Sequence, residues 1–402
     1  MNKLWRLQTF IQDFFPKGQK RRTDGQLSPP SVRTQNLQES CLSVAVVNQD
    51  EERKLDAFLQ ILARPVIDFE ELRSASWKGI PEQVRPLCWQ ILLGYVPCES
   101  QYRLQALERK RSRYFELTLS YFKDAAEDES TMMQIDLDIP RTIPRGLEGN
   151  CLEDVRLQQI MRRTLYIWSM ENEYTTYFQG LTDVCCQMML VLLSWYVEPS
   201  RYSENMLDAQ SCSQLEADTY WCFSIFMDGM KHYHTDNLNI GMEAALHRVR
   251  DVVETIDEPL LEHFDREGVM MMQFAVRWML CLLTREFDLS SVSRIWDTYI
   301  AEGEHHMSDF HFHLCASLIL KFRHQLKQMD FSEALTMLQH LPTQEWKTEE
   351  TEELIWRACV SREVQRRIQY LCLIGAVTQI TALRAMVKMM EQAETITSKK
   401  EG

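Results

Sequence analysis

The stretch "VCCQMMLVLLSWYV", from Val184 to Val197, constrains the fold more than any other part of the chain. It is apolar on every side, interrupted only by Gln187 and Ser194, and a helix of that kind is stable only when other elements wrap it. A membrane span needs about twenty such residues. The run is shorter, so it reads as a buried core helix. Turn formers are sparse, with 13 glycines and 12 prolines in 402 residues. Long segments of 3.6-residue apolar period lie between them. In "LEDVRLQQIMRRTLYIW", Leu157, Ile160, Met161, Leu165 and Trp168 share one helical face. The pattern predicts an all-α protein.

Helix ends are legible in places. "GIPEQVRPLCWQILLG" puts Pro81 where a first helical turn tolerates it and Gly94 where a C-terminal cap is wanted. Pro86 then falls inside that helix and is expected to kink it. Residues 1–22 form an amphipathic, basic segment: Leu4, Leu7, Ile11, Phe14 and Phe15 make an apolar stripe, followed by Lys17, Lys20, Arg21 and Arg22. Such a segment suits peripheral contact with an anionic membrane, and equally an adaptor protein or the chain's own helices. Residues 23–50 are rich in Ser, Gln, Arg and Pro and read as a disordered linker. The main helical domain is expected over 51–345, C-terminal helices packing on it over 346–390, and a flexible tail over 391–402.

Several chemistries are excluded. A net charge of −14 lacks the basic footprint that nucleic-acid phosphates require. Twelve cysteines without a CxxC pair, and with no secretory signal, read as reduced, mostly buried cytosolic thiols. There is no P-loop, HExxH or GxSxG sequence. "DLDIPR" begins like a calcium loop at Asp136 and Asp138, but its sixth position is Arg141 rather than Gly and its twelfth is Leu147 rather than Glu. His305, His306, His311 and His313 have no orienting carboxylates at recognisable spacing, so they read as helix-end and surface histidines. No metal site is expected.

Three motifs remain. In "IDLDIPRTIPRG" (Ile135–Gly146), Ile139 and Ile143 precede prolines, which favours extended backbone. Pro140 and Pro144 fix their own φ. Arg141 is thereby presented on a stiff, extended loop, with Asp138 placed to hold it through loop amides or another arginine. That geometry suits a cation aimed at a partner's phosphates, and equally a structural Arg–Asp bridge. In "YFQGLTD" (Tyr177–Asp183), Gln179 precedes Gly180, whose lack of Cβ permits close approach. Asp183 is expected to cap a helix beginning at Val184. Gln179 is then either a rigid amide at a helix entrance or an ordinary turn glutamine. "RPLCW" sets Arg85 and Trp89 on one helix face, as an arginine packed over a tryptophan would be.

In this order, RxxxW after "GIP", then IxxDxxR and YxQG resemble the TBC-domain Rab GTPase-activating proteins. The matching residues are Arg85 and Trp89, then Ile135, Asp138 and Arg141, then Tyr177, Gln179 and Gly180. "DTYWCF" (Asp218–Phe223), "RIWDTY" (Arg294–Tyr299) and "HLPTQEW" (His340–Trp346) continue the similarity, which runs from about Leu72 to Trp346. In detail it is most similar to the Golgi-associated subfamily of TBC domain family member 22 and a yeast Golgi relative. The resemblance implies an all-α, V-shaped pair of helical lobes acting on a GTP-bound Rab in vesicle traffic, cytoplasmic or peripheral at the Golgi or other endomembranes. Arg141 is implied as an arginine finger and Gln179 as the glutamine that orients the attacking water. Asp138 and Arg85 are assigned as supports of the Arg141 loop, and Arg85 equally reads as purely structural. No cofactor is implied for the chain itself, because GTP and Mg2+ are carried by the Rab. Thr182 stands where many family members have Asn. A weakly active or inactive domain serving as a Rab-binding effector or scaffold is the alternative.

Overall fold

The computed structural model describes residues 38–373 and 379, except 124–128, 148–150, 173–175, 198–201, 204–205 and 231–237. The basic segment over 1–22, the first part of the linker and the tail over 391–402 lie outside the described residues. The protein is all-α, with no strand among the described residues.

Helix α1 (Gln38–Leu62) begins within the stretch assigned to the linker. Polar composition suggested disorder up to residue 50, but the helix that starts at Gln38 runs on into "EERKLDAFLQIL" (Glu51–Leu62), which consists largely of good helix formers. Aspartates start several helices by accepting a hydrogen bond from a first-turn N–H. Asp68 caps α2 (Phe69–Trp77) in this way, accepting from the Glu71 N–H at 3.1 Å.

Helix α3 (Arg85–Leu92) starts later than the sequence suggested. Pro81 belongs to a preceding turn, in which its carbonyl accepts from the Arg85 N–H at 3.0 Å. Pro86 therefore sits in the first turn, where no N–H is needed, and the expected kink does not arise. Gly94 follows the C-cap with φ +70°, as its position at the helix end requires.

Helices α4 (Ser100–Lys123), α5 (Glu129–Asp138), α6 (Val155–Glu171), α7 (Leu181–Leu193) and α8 (Ala209–Gly229) follow. The apolar run forms most of α7, and every residue of that helix is buried. It packs against α3, α6 and α8. Asp154 and Asp208 cap α6 and α8.

Beyond these lie α9 (Leu238–Glu267), α10 (Ala275–Leu280), α11 (Leu289–Glu302), α12 (Met307–Lys321), α13 (Arg323–Leu326), α14 (Phe331–Gln339) and α15 (Thr348–Leu373). Asp288 caps α11, and Asp330 and Glu333 form a capping box on α14. α12 is the centre of this second group, packed against α9, α11 and α15. The helices thus fall into two groups, and α11 joins them by packing on α2, α3 and α7.

His311 and His313 lie inside α12, not on the surface. His311 Nδ1 pairs with the Tyr299 hydroxyl at 2.7 Å and His313 Nδ1 with Ser361 Oγ at 3.0 Å. Burial lowers both pKa values, that of His311 to about 3. The sequence offers these histidines no orienting carboxylates and so reads them as helix-end and surface side chains, yet at helical spacing only His305 and His306 fall at the exposed end.

Candidate functional site

The Arg141 segment is built on α5. Ile135, fully buried, and Ile139 anchor it, and the chain continues from α5 into a short 3-10 turn over Ile139–Arg141. This replaces the extended loop expected before Thr142. A proline at the second position of such a turn loses no hydrogen bond, and its φ near −65° suits 3-10 geometry. Thr142 is extended, at φ −84° and ψ 95°, and its hydroxyl donates to the Asp138 carbonyl at 3.0 Å. Downstream, the Leu289 N–H donates to the Arg145 carbonyl at 2.9 Å and Arg145 Nη1 donates to the Glu286 carbonyl at 3.2 Å. The segment is thus pinned on both sides of Arg141. Arg141 itself is exposed, and no hydrogen bond or ion pair holds its side chain among the described residues.

Asp138 does not bind an arginine or a loop amide. Its Oδ2 accepts from the Tyr177 hydroxyl at 2.6 Å. Burial raises the Tyr177 pKa, and the Asp138 hydrogen bond raises it further, so the phenol remains a neutral donor.

Tyr177 and Phe178 are buried and root the next turn. The Leu181 N–H donates to the Phe178 carbonyl at 3.3 Å, closing a turn with Gln179 and Gly180 at its centre. Gly180 has φ +114°, a conformation that strains any other residue. A methyl group placed on it would stand 3.0 Å from Cys281 Sγ and 3.4 Å from Leu280 Cβ. The two helical groups therefore meet at this glycine. Gln179 is exposed and, like Arg141, makes no hydrogen bond among the described residues. It lines a groove of about 410 Å³ together with Met272, Phe274, Arg277 and Arg285.

Asp183 is not the cap of α7. The helix begins at Leu181, with Gly180 in the cap position, and Asp183 lies in its first turn. Its side chain instead pairs with Arg285, whose Nε stands 3.0 Å from Oδ1 and 3.1 Å from Oδ2. Burial raises the Asp183 pKa, opposed by that guanidinium. Thr182 is buried beside the Tyr177 hydroxyl, without the geometry of a hydrogen bond.

Arg85 does not support the Arg141 loop but takes the structural role, together with Trp89. Both donate to the fully buried Asp297 on α11, from Arg85 Nε at 3.1 Å and from Trp89 Nε1 at 2.7 Å. Asp297 also accepts from the Ile80 N–H at 2.8 Å, and Arg85 Nη2 donates to the Ile80 carbonyl at 2.7 Å. The pair thus fastens the "GIP" turn and α3 to α11, not the Arg141 turn. The sequence reading missed Arg285 and gave Asp297 no role. The signals were present: an acid–base pair in the apolar run "LCLLTREF", and an aspartate among large side chains in "RIWDTY".

The site thus presents a guanidinium and a carboxamide. Both are free at their tips and rooted in buried neighbours, and their turns are joined through Asp138 and Tyr177. Such a pair supplies planar donors and one acceptor to a group brought by a partner.

The sequence profile of the Rab-GTPase-TBC domain matches residues 82–327. The chain belongs to this family. It is 36% identical over 312 residues to GTPase-activating protein gyp1 of Schizosaccharomyces pombe, a match that covers 76% of this chain and 60% of that protein. Human TBC1 domain family member 22A is 36% identical over 326 residues, covering 79% of this chain and 62% of that protein. The chain therefore spans less than two thirds of the length of these relatives. Among solved structures, the Ypt/Rab-GAP domain of Gyp1p superposes with a TM-score of 0.74 at 31% identity, covering 78% of this chain and 99% of that one. The similarity establishes the all-α TBC fold.

Proposed function

We propose that this chain accelerates GTP hydrolysis by a GTP-bound Rab-family GTPase, with Arg141 and Gln179 both supplied in trans. The observation that carries the reading is that these two side chains are exposed and, among the described residues, unpartnered, on turns pinned by hydrogen bonds of their neighbours. Phosphoryl transfer asks for positioning and charge stabilisation rather than covalent chemistry. A planar, permanently charged guanidinium can fork across two oxygens of the transferring phosphoryl group. A carboxamide can accept from and donate to one water, which is what aligning the attack requires. GTP and Mg2+ come with the Rab as its own bound substrate and ion.

Membership of the family and the similarity to proteins named as GTPase-activating support this reading. Action in vesicle traffic at the Golgi is the place that the subfamily resemblance implies. No described helix is long and apolar enough to cross a membrane, so attachment there is proposed as peripheral. The test is single-turnover hydrolysis by a panel of GTP-loaded Rabs with and without the chain. Stimulation of at least one Rab by about 10³-fold or more is expected, and binding without stimulation across the panel would favour the effector reading.

A further inference from the structure

Arg285 belongs to the turn that follows α10, and the same turn touches the base of the Gln179 loop at two points. Cys281 and Leu280, the last residue of α10, close on Gly180, so that a Cβ there would stand only 3.0 Å from Cys281 Sγ. Arg285 pairs with Asp183, in the first turn of the helix that Gln179 introduces. The turn is firmly set. Leu282 and Leu283 are both buried and both left-handed, at φ +48° and +66°. Residues without the freedom of glycine keep that conformation only when their surroundings over-determine it. The Leu283 N–H donates to the Trp278 carbonyl at 3.2 Å, Thr284 Oγ1 to the Cys281 carbonyl at 2.7 Å, and Arg277 Nε to Glu286 Oε1 at 2.7 Å.

We propose that Arg285 is a positioning residue for Gln179: by neutralising the buried Asp183 carboxylate it holds the Gln179–Gly180 turn at the height the reaction needs. This rests on the reading that Gln179 acts on the GTPase. Asp183 is mostly buried and its carboxylate feels a second carboxylate, Asp138, which accepts its hydrogen bond from the Tyr177 hydroxyl. Removing the guanidinium leaves an uncompensated buried charge facing a like charge. The site responds by moving the first turn of α7 or by taking in water. Either displaces Gln179, whose side chain makes no hydrogen bond among the described residues.

Arg285 also lines the groove beside Gln179, so the competing role is direct contact with the GTPase. The two roles separate in kinetics, because lost positioning lowers the rate at saturation while a lost contact raises the concentration needed to reach it.

The experiment uses the full chain and a GTP-loaded Rab that the wild type stimulates. Arg285→Gln is expected to lower the saturating rate by roughly 10²-fold, the effect of a displacement of about 1 Å. The half-saturating concentration should stay within about threefold of wild type. Arg285→Lys keeps the charge and should recover most of the loss. Asp183→Asn combined with Arg285→Gln should match Asp183→Asn alone, since a neutral amide no longer needs the cation. This last comparison carries the test if Arg285→Gln alone fails to fold. A wild-type rate for Arg285→Gln, a change confined to half-saturation, or a further loss in the double variant overturns the proposal. Gln179→Ala is measured alongside. If it keeps the wild-type rate, the finger reading itself fails. If it is inactive while Arg285→Gln is not, only the positioning role falls.

Discussion

The Tyr177 hydroxyl donates to Asp138 Oδ2 at 2.6 Å and so ties the turn of Gln179 to the turn of Arg141. A hydrogen bond to a carboxylate in a partly buried place contributes about 1.5–3 kcal/mol. Here it also fixes the relative height of two side chains that must meet one phosphoryl group. Tyr177→Phe keeps the ring in its buried seat and removes only this link. The stimulated rate at saturation is expected to fall by about tenfold or more, with a stability loss in the range just given. Urea midpoints and saturating rates measured on the same preparation check it, and a stability loss without any rate loss contradicts the coupling.

The two arginines of the proline-rich segment have opposite surroundings. Arg141→Ala is expected to reduce stimulated hydrolysis by roughly 10³–10⁵-fold, equivalent to about 4–7 kcal/mol of barrier, while the midpoint of urea unfolding stays put. Arg145 spends its guanidinium on the Glu286 carbonyl. Arg145→Ala should lower stability by about 1 kcal/mol and leave most of the stimulation intact. Single-turnover rates beside unfolding curves distinguish the two, and a reversed pattern would exchange their roles.

Gly180→Ala forces a Cβ onto a residue at φ +114° and within 3.0 Å of Cys281 Sγ. The backbone strain alone amounts to about 1–3 kcal/mol. Adding Cys281→Ala relieves the steric part and not the strain, so the double variant should regain some stability but remain below wild type. Thermal unfolding of the two variants reads this out; full recovery in the double variant would mean that the left-handed backbone is not needed.

His311 and His313 make stability fall on the acid side. Their folded pKa values lie below the ordinary value of 6.5, near 3 for His311. The unfolded chain therefore binds protons that the folded one refuses. Their contribution is complete above pH 6.5 and is lost as pH drops from there toward the folded values, by about 2 kcal/mol each at pH 5. His311→Asn can retain a partner for the Tyr299 hydroxyl and cannot titrate. It should be less stable at pH 7.5 and show a flatter decline between pH 7.5 and 5. An unchanged slope in urea titrations at the two pH values would contradict this assignment.

What the sequence made legible follows from distance along the chain. The all-round apolar run announced α7 because hydrophobicity is local information, and the glycine after Gln179 announced a close approach of the backbone for the same reason. The five aspartate caps were equally local, as in "DLSS" before α11 and "DFSE" before α14, and could have placed those helix starts. The errors lie where a partner is remote. Asp138 was given to a loop amide or an arginine, but its partner Tyr177 lies 39 positions away. Arg85 was given to the Arg141 turn, but Asp297 lies 212 positions away. Asp183 looked like a cap because its true partner, Arg285, is 102 positions distant. Pro86 was read as a kink because its effect depends on where the helix starts, which a neighbouring turn decides.

The central claim is that both reactive groups come from this chain, and one measurement addresses it directly. A Rab that the wild type stimulates is changed so that its own catalytic glutamine becomes alanine, and its single-turnover hydrolysis is followed with wild-type chain and with Gln179→Ala. In the Ras-type arrangement the GTPase supplies that glutamine itself, so the response would vanish. If Gln179 orients the water, the altered Rab is still stimulated by the wild type, and Gln179→Ala loses the stimulation while Rab affinity stays nearly unchanged. An altered Rab that goes unstimulated while its parent responds, or a Gln179→Ala chain as active as wild type, contradicts the account.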